Sequence, residues 1–194
     1  MRCFIHCGAV LTLPLLAACG EASSPTTPVA ERAKVVAASV SGTPVEAGRS
    51  EIAVNMLDAC DPATFNAVVG PGTCLRPGGM KFQQFIAELT RQQEVQAWDF
   101  APEEFLARVG QTIVARNLGG EVHTFTRVAE FGGGIIPLLN ELSGNTHVAP
   151  ECTVLGGSAF VPRGGTQTAS LDRAGTVHFE CCIHPWMRST VQVQ

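Results

Sequence analysis

Val177 to Val193 reads VHFECCIHPWMRSTVQV. Its first residues alternate: Val177, Phe179 and Cys181 fall on one face of a strand, with His178 and Glu180 on the other. Val191 and Val193 mark a last short strand. Between the strands the spacing Cys181-x-x-His184-x-x-Met187 puts a thiolate, an imidazole and a thioether on one tight loop. These are donors for a soft or borderline metal ion. The doubled Cys181-Cys182 offers two sulfurs. Alternation selects Cys181, which shares the face of Phe179, and its spacing to His184 agrees.

Working outward, the half of the chain from Trp98 onward is a series of short β-favouring stretches and turns. Ala97 to Phe100, and Phe105 to Asn117 around a Val109-Gly110-Gln111 turn, are two of them. Val122 to Val128 alternates around His123 and Phe125. Several short strands at near-regular spacing predict a small β-sandwich. Composition agrees, because 20 Gly, 12 Pro, no Tyr and only 15% charged residues suit a turn-rich β domain better than a helical bundle. The formal net charge of −4 implies no basic surface for nucleic acid.

A blue-copper site uses two His and one Cys in a trigonal set with a weak axial Met. His123, upstream on a separate strand, supplies the missing imidazole. Here the chain resembles the cupredoxin (plastocyanin/azurin) family. The shared pattern is a Gly turn at Gly110, a strand ending in Asn117, a short loop and His123. About sixty residues later come Phe179-x-Cys181, then His184, Met187 and a final strand. The tight ligand loop is most similar to that of amicyanin, and the resemblance covers Ala97 to Gln194. It implies an all-β fold, a Greek-key cupredoxin β-sandwich, with one type 1 copper per chain held by His123, Cys181, His184 and Met187. It also implies a carrier of single electrons and no stand-alone enzyme. His184 would lie near the surface as the electron exit, and a transient redox partner protein would dock on apolar surface around Pro185 and Trp186 of a monomer. The alternative is a copper-binding or copper-delivery protein with no redox circuit. Such proteins use exposed Met- and His-rich sites, whereas only four Met occur here and they form no cluster.

Two positions beside the ligands depart from the family or tune it. Thr124 stands where many members carry Asn, and its hydroxyl is a candidate bridge between the two ligand segments. Pro185 stiffens the loop and has no N–H to donate to the Cys181 sulfur, which is expected to lower the potential. His147 is expected in an exposed loop and His178 on the outer strand face. Adjacent cysteines cannot build a binuclear copper centre, which needs three residues between them. Gly132-Gly133-Gly134 lacks the Lys and strand–helix setting of a phosphate loop and is expected to form a tight loop near the metal end.

The N-terminal half has a different organisation. Residues 1–18 carry Arg2 and then an apolar run too short to span a bilayer, which marks a leader. Leu16-Ala17-Ala18-Cys19 resembles the bacterial lipobox, which implies cleavage before Cys19 and its lipidation. The chain would then be anchored in the cell envelope, periplasmic or on the outer surface, with the membrane as a partner. Residues 19–50 read as a flexible tether. Residues 51–96 read as an N-terminal extension, set apart from a domain at 97–194. Within it, Cys60-Asp61-Pro62 and Gly70-Pro71-Gly72-Thr73-Cys74 bracket a loop. Phe82, Phe85, Ile86 and Leu89 then form one face of a short helix that packs on the core.

Five cysteines remain beyond Cys19: Cys60, Cys74, Cys152, Cys181 and Cys182. An odd number in an oxidising compartment leaves one thiol for another task. If Cys181 binds metal, the other four allow three pairings. The short loop favours Cys60 with Cys74, which leaves Cys152 for Cys182.

Overall fold

The structure is a computed structural model that describes residues 50–194. The leader, the lipidation candidate Cys19 and the tether up to residue 49 lie outside the described residues. No helix among the described residues is long and apolar enough to cross a membrane.

Two four-stranded sheets form a Greek-key β-sandwich. The first holds β1 (Glu51–Leu57), β2 (Asp99–Ala101), β4 (Thr112–Asn117) and β8 (Thr166–Ser170) in the order β2-β1-β4-β8. The second holds β3 (Glu104–Ala107), β6 (Thr126–Val128), β9 (Gly175–Glu180) and β10 (Arg188–Val193) in the order β3-β10-β9-β6. Each sheet has one parallel pair, β1 with β4 and β10 with β3, and its other pairs are antiparallel. A short ladder of β5 (His123–Thr124) with β7 (Phe160–Val161) completes the strands. The chain repeatedly passes from one sheet to the other, as in β2 to β3 and β3 to β4. Gly110, with φ +88, makes the turn into β4 that glycine tolerates best.

One core joins the sheets. Val54, Met56, Ile113 and Ala115 from the first sheet are buried with Ala107, Phe179, Val191 and Val193 from the second. Phe125 lies between them, with ring centroids 5.2 Å from Phe100 and 4.3 Å from Phe179. Fully burying an aromatic ring of this size is worth about 1.5–3 kcal/mol, so this column of rings holds the two sheets together near the end of β9.

Residues 51–96 are not an extension set apart from the sandwich. β1 is an inner strand of the first sheet, paired in parallel with β4 from Glu51 opposite Thr112 to Met56 opposite Asn117. Its own alternation explains why: Val54 and Met56 point into the core with Ile52 partly buried, while Glu51 and Ala53 are exposed. The Cys60–Cys74 segment is also more than a loop. It contains α1 (Pro62–Val68), capped by the Asp61 side chain accepting the Thr64 N–H at 3.0 Å, with Pro at the first helical position. Next comes α2 (Phe82–Gln92), with Phe85 and Leu89 buried and Phe82 and Ile86 partly so. Gln93 ends it in a left-handed conformation, φ +63, its N–H returning to Leu89 O. A last helix, α3 (Pro137–Leu142), follows Gly132–Gly134.

Cys60 is joined to Cys74, and Cys152 to Cys182. Closing a loop of about 15 residues restricts the unfolded chain by about 3 kcal/mol. The first bridge therefore steadies α1 and the turn that follows it.

Candidate metal centre

At one end of the sandwich, β5 and the β9–β10 loop meet. Cys181 follows β9 directly, and its backbone N–H donates to Met187 O at 3.0 Å. Met187 N–H in turn donates to His184 O at 2.9 Å. These two bonds fold Cys181–Met187 into a tight loop. His123 comes from the opposite side, held by the pairing of His123 with Val161. Asn117, fully buried at the end of β4, ties the approach: its amide donates to Glu121 O at 2.7 Å and Val161 O at 2.8 Å.

Cys181 is the free thiol among the described residues and is fully buried. Its Sγ lies 3.8 Å from His123 Nδ1 and 3.9 Å from His184 Nδ1. Metal–sulfur and metal–nitrogen bonds of about 2.3 and 2.0–2.1 Å, at angles between tetrahedral and trigonal, put S and N about 3.6–3.8 Å apart. The thiol and the two imidazole nitrogens therefore lie at or just beyond the spacing that one first-row ion needs. A soft thiolate beside two imidazoles, with Met187 buried in the same loop, is the donor chemistry that suits copper.

Burial pushes the Cys181 thiol up, but the facing His123 and His184 imidazoles outweigh it and hold the thiol well below its usual value. Burial also works against a charged His123. Its bonds to Asp58 and Cys181 prevail, and the imidazole is raised to about 9. Cys181, His123 and Asp58 thus stand in a row, each shifted by its neighbour, and a cation at the sulfur would have to compete with protons for the same atoms.

The far ring nitrogens both meet carboxylates. His123 Nε2 lies 2.9 Å from Asp58 Oδ2, and His184 Nε2 lies 3.6 Å from Glu121 Oε2. Trp98 Nε1–H donates to the same Glu121 oxygen at 2.6 Å. Burial raises Asp58, but the His123 ring and the backbone N–H groups of Glu121 and Gly120 bring it down to about 2. Burial dominates at Glu121 and raises it. Asp58, Cys60 and Glu121 are also close together, but the Cys60 sulfur is spent in a disulfide and offers no thiolate.

Thr124 links the two ligand segments twice. Its N–H donates to Cys181 Sγ at 3.4 Å, and its hydroxyl accepts the Cys182 N–H at 2.8 Å. Pro185 is buried in the loop. Gly134 packs so tightly on the Cys182 carbonyl that a Cβ there would overlap it, and the Ile135 N–H donates to that carbonyl at 2.6 Å. The Cys152–Cys182 bridge and this Gly-rich loop thus brace the residue next to Cys181. His147 is exposed, and His178 sits on β9 with Nδ1 3.3 Å from Ala129 O.

Three sequence expectations are corrected here. His184 is only 3% exposed. Phe85 from α2, Trp98 and Trp186 surround its ring at centroid distances of 6.4, 6.5 and 5.5 Å. Phe85, from the residues read as an extension, therefore joins Trp98 and Trp186 in covering the imidazole. In the surface expected around Pro185 and Trp186, Pro185 is buried, the Trp186 ring is partly exposed, and Ile135, bonded to the Cys182 carbonyl, is exposed beside the loop. Glu180, expected on an outer face, is fully buried, because the 131–155 segment adds a layer over β9. Its carboxylate accepts the Gly132 N–H at 3.0 Å, and burial raises it to about 7.

Sequence reasoning missed Asp58, Glu121 and the aromatic cover. The cover had one local trace, the apolar face of α2 ending near Trp98.

No family model and no curated protein sequence matches the chain. Among solved structures, its fold is similar to a methionine-to-alanine mutant of amicyanin in the Cu(I) form, with TM-score 0.35 and 19% identity over 50% of this chain and 73% of that one. A novel purple cupredoxin from Nitrosopumilus maritimus is similar at TM-score 0.40 and 15% identity, over 73% of this chain and 98% of that one. A mutant plastocyanin of fern is similar at TM-score 0.39 and 14% identity, over 74% of this chain and all (100%) of that one.

Proposed function

We propose that the chain is an exported, lipid-anchored carrier of single electrons that uses one type 1 copper held by His123, Cys181, His184 and Met187. The observation that carries this reading is the buried Cys181 thiol with two imidazole Nδ1 atoms 3.8 and 3.9 Å away. Copper, when bound, supplies a one-electron couple between Cu(II) and Cu(I). The residues around it supply rigidity and dryness. Backbone bonds close the ligand loop, Thr124 ties it to the His123 segment, and a disulfide fixes the residue beside Cys181. A donor set held this firmly changes little between oxidation states. The Trp186 ring, partly exposed and edge-on to His184, is the route by which the electron reaches a docked, transient partner. Two disulfides suit an oxidising compartment such as the periplasm or outer surface.

The test is the visible spectrum of the purified chain after addition of Cu(II). Intense thiolate-to-copper absorption that disappears in Cys181→Ser is the expected result. A colourless protein that binds Cu(I) tightly would replace the carrier with a delivery protein. The lipid anchor is tested by fractionation, where Cys19→Ala should move the chain from membranes to the soluble fraction; retention on membranes would reject it.

A further inference from the structure

Asp58 is held at both of its carboxylate oxygens. Its Oδ2 accepts the Gly120 and Glu121 backbone N–H groups at 2.8 and 2.9 Å and lies 2.9 Å from His123 Nε2. Its Oδ1 accepts the Cys60 N–H at 3.2 Å. The side chain is 1% exposed. Gly119 makes the fit possible, because a Cβ there would overlap Asp58 Oδ2. Glu121 repeats the arrangement at His184, 3.6 Å from Nε2, with its oxygen fixed by the Trp98 indole N–H. Each imidazole thus turns Nδ1 toward Cys181 and Nε2 toward an anchored carboxylate.

The structure assigns Asp58, and more weakly Glu121, as positioning residues that orient the two imidazoles and use their negative charge to favour the oxidised, Cu(II) state. This rests on the copper reading above. The reasoning is electrostatic. Cu(II) carries one more positive charge than Cu(I), so a fixed negative charge on the far side of each ligand ring stabilises it more. A carboxylate on a ligand imidazole also raises its basicity and fixes its ring nitrogen, and losing such a partner typically costs about 10–100-fold in metal affinity. Both carboxylates are nearly out of solvent, 1% and 9% exposed, where screening by salt is weak.

The experiment measures Cu(II) affinity, Cu(I) affinity and reduction potential of the full chain and of Asp58→Asn and Glu121→Gln. Asp58→Asn is expected to weaken Cu(II) at least about tenfold more than Cu(I), which equals a rise in potential of about 59 mV for one electron. Glu121→Gln is expected to shift it in the same direction by less, since its contact is longer. A purely structural role would weaken both oxidation states equally and leave the potential in place. Equal weakening, no shift or a downward shift in a folded variant overturns the assignment. If Asp58→Asn does not fold, Glu121→Gln decides by the same signs. A parent chain with no thiolate-to-copper absorption would instead overturn the copper reading itself.

Discussion

Thr124→Val isolates the link between the two ligand segments. Valine has nearly the shape of threonine, so no cavity opens and no transfer term is lost. What disappears is the acceptor of the Cys182 N–H, now 2.8 Å from Oγ1. Cys182 and Thr124 are both fully buried, so water cannot replace it. The Thr126 hydroxyl, 3.1 Å from the same oxygen, is only part-buried and can turn to solvent. One buried, unsatisfied N–H costs about 1–3 kcal/mol. For a domain of this size, a loss of about 2 kcal/mol lowers Tm by about 4–8 °C. Urea unfolding with both disulfides intact measures it, and Thr124→Ser, which keeps the hydroxyl, is the control. The deficit should grow when copper is bound, because the metal stabilises only a fold that holds both segments together. A Val variant within about 0.5 kcal/mol of the parent, with an unchanged urea slope, would refute the reasoning, since an unmade buried bond cannot be that cheap.

Phe85→Ala should cost about 3–5 kcal/mol in stability, as the ring is 2% exposed and packs on Phe65, Trp98, His184 and Trp186. It should also open His184 to diethyl pyrocarbonate; mapped modification of His184 no faster than in the parent would contradict the covering role. Asp99 offers a pH-dependent test. Burial, with Glu103 nearby, raises its carboxyl from 3.8 to about 6. The folded chain therefore holds a proton that the unfolded chain releases between those values, and stability falls as pH rises from about 4 to about 6. Asp99→Asn should be more stable than the parent at pH 7.5 and no more stable at pH 3.5. An equal urea midpoint for both proteins at pH 7.5 would show that the buried charge carries no penalty.

The ligand loop is legible in the sequence because its information is local. Period-two alternation places Cys181 with Phe179, and His184, three residues on, meets its sulfur at 3.9 Å. β1 is equally readable in its alternation, with Val54 and Met56 inward, yet its parallel partner β4 starts some sixty residues later and no local signal announces that pairing. α1 carries a start signal in Asp61-Pro62, overshadowed by the turn residues around Cys74. Asp58 and Glu121 are invisible for a different reason. A single carboxylate has no motif, and its partner ring is chosen by the fold: Asp58 reaches His123 across 65 positions. Glu180 misleads because strand alternation distinguishes two faces but cannot say that a second layer covers the outer one.

The cover over His184 separates the carrier reading from the delivery reading more sharply than the donor set does. A delivery protein must expose its metal to a recipient. Here, exposing His184 means lifting α2 and Trp98, and those residues are no detachable lid. Phe85, Leu89, Val95 and Trp98 belong to the same buried cluster as Val54, Ile113, Phe179 and Met187. Phe85 and Trp98 pack at 4.7 Å, and Trp98 is tied by its indole N–H to Glu121 behind the ligand. Opening the site would thus uncover several large side chains at about 1.5–3 kcal/mol each, a sum comparable with the whole stability of an ordinary domain. The proposed electron carrier would need no such opening: the Trp186 ring, 5.5 Å from the His184 ring and partly exposed, would give it a short path to the surface.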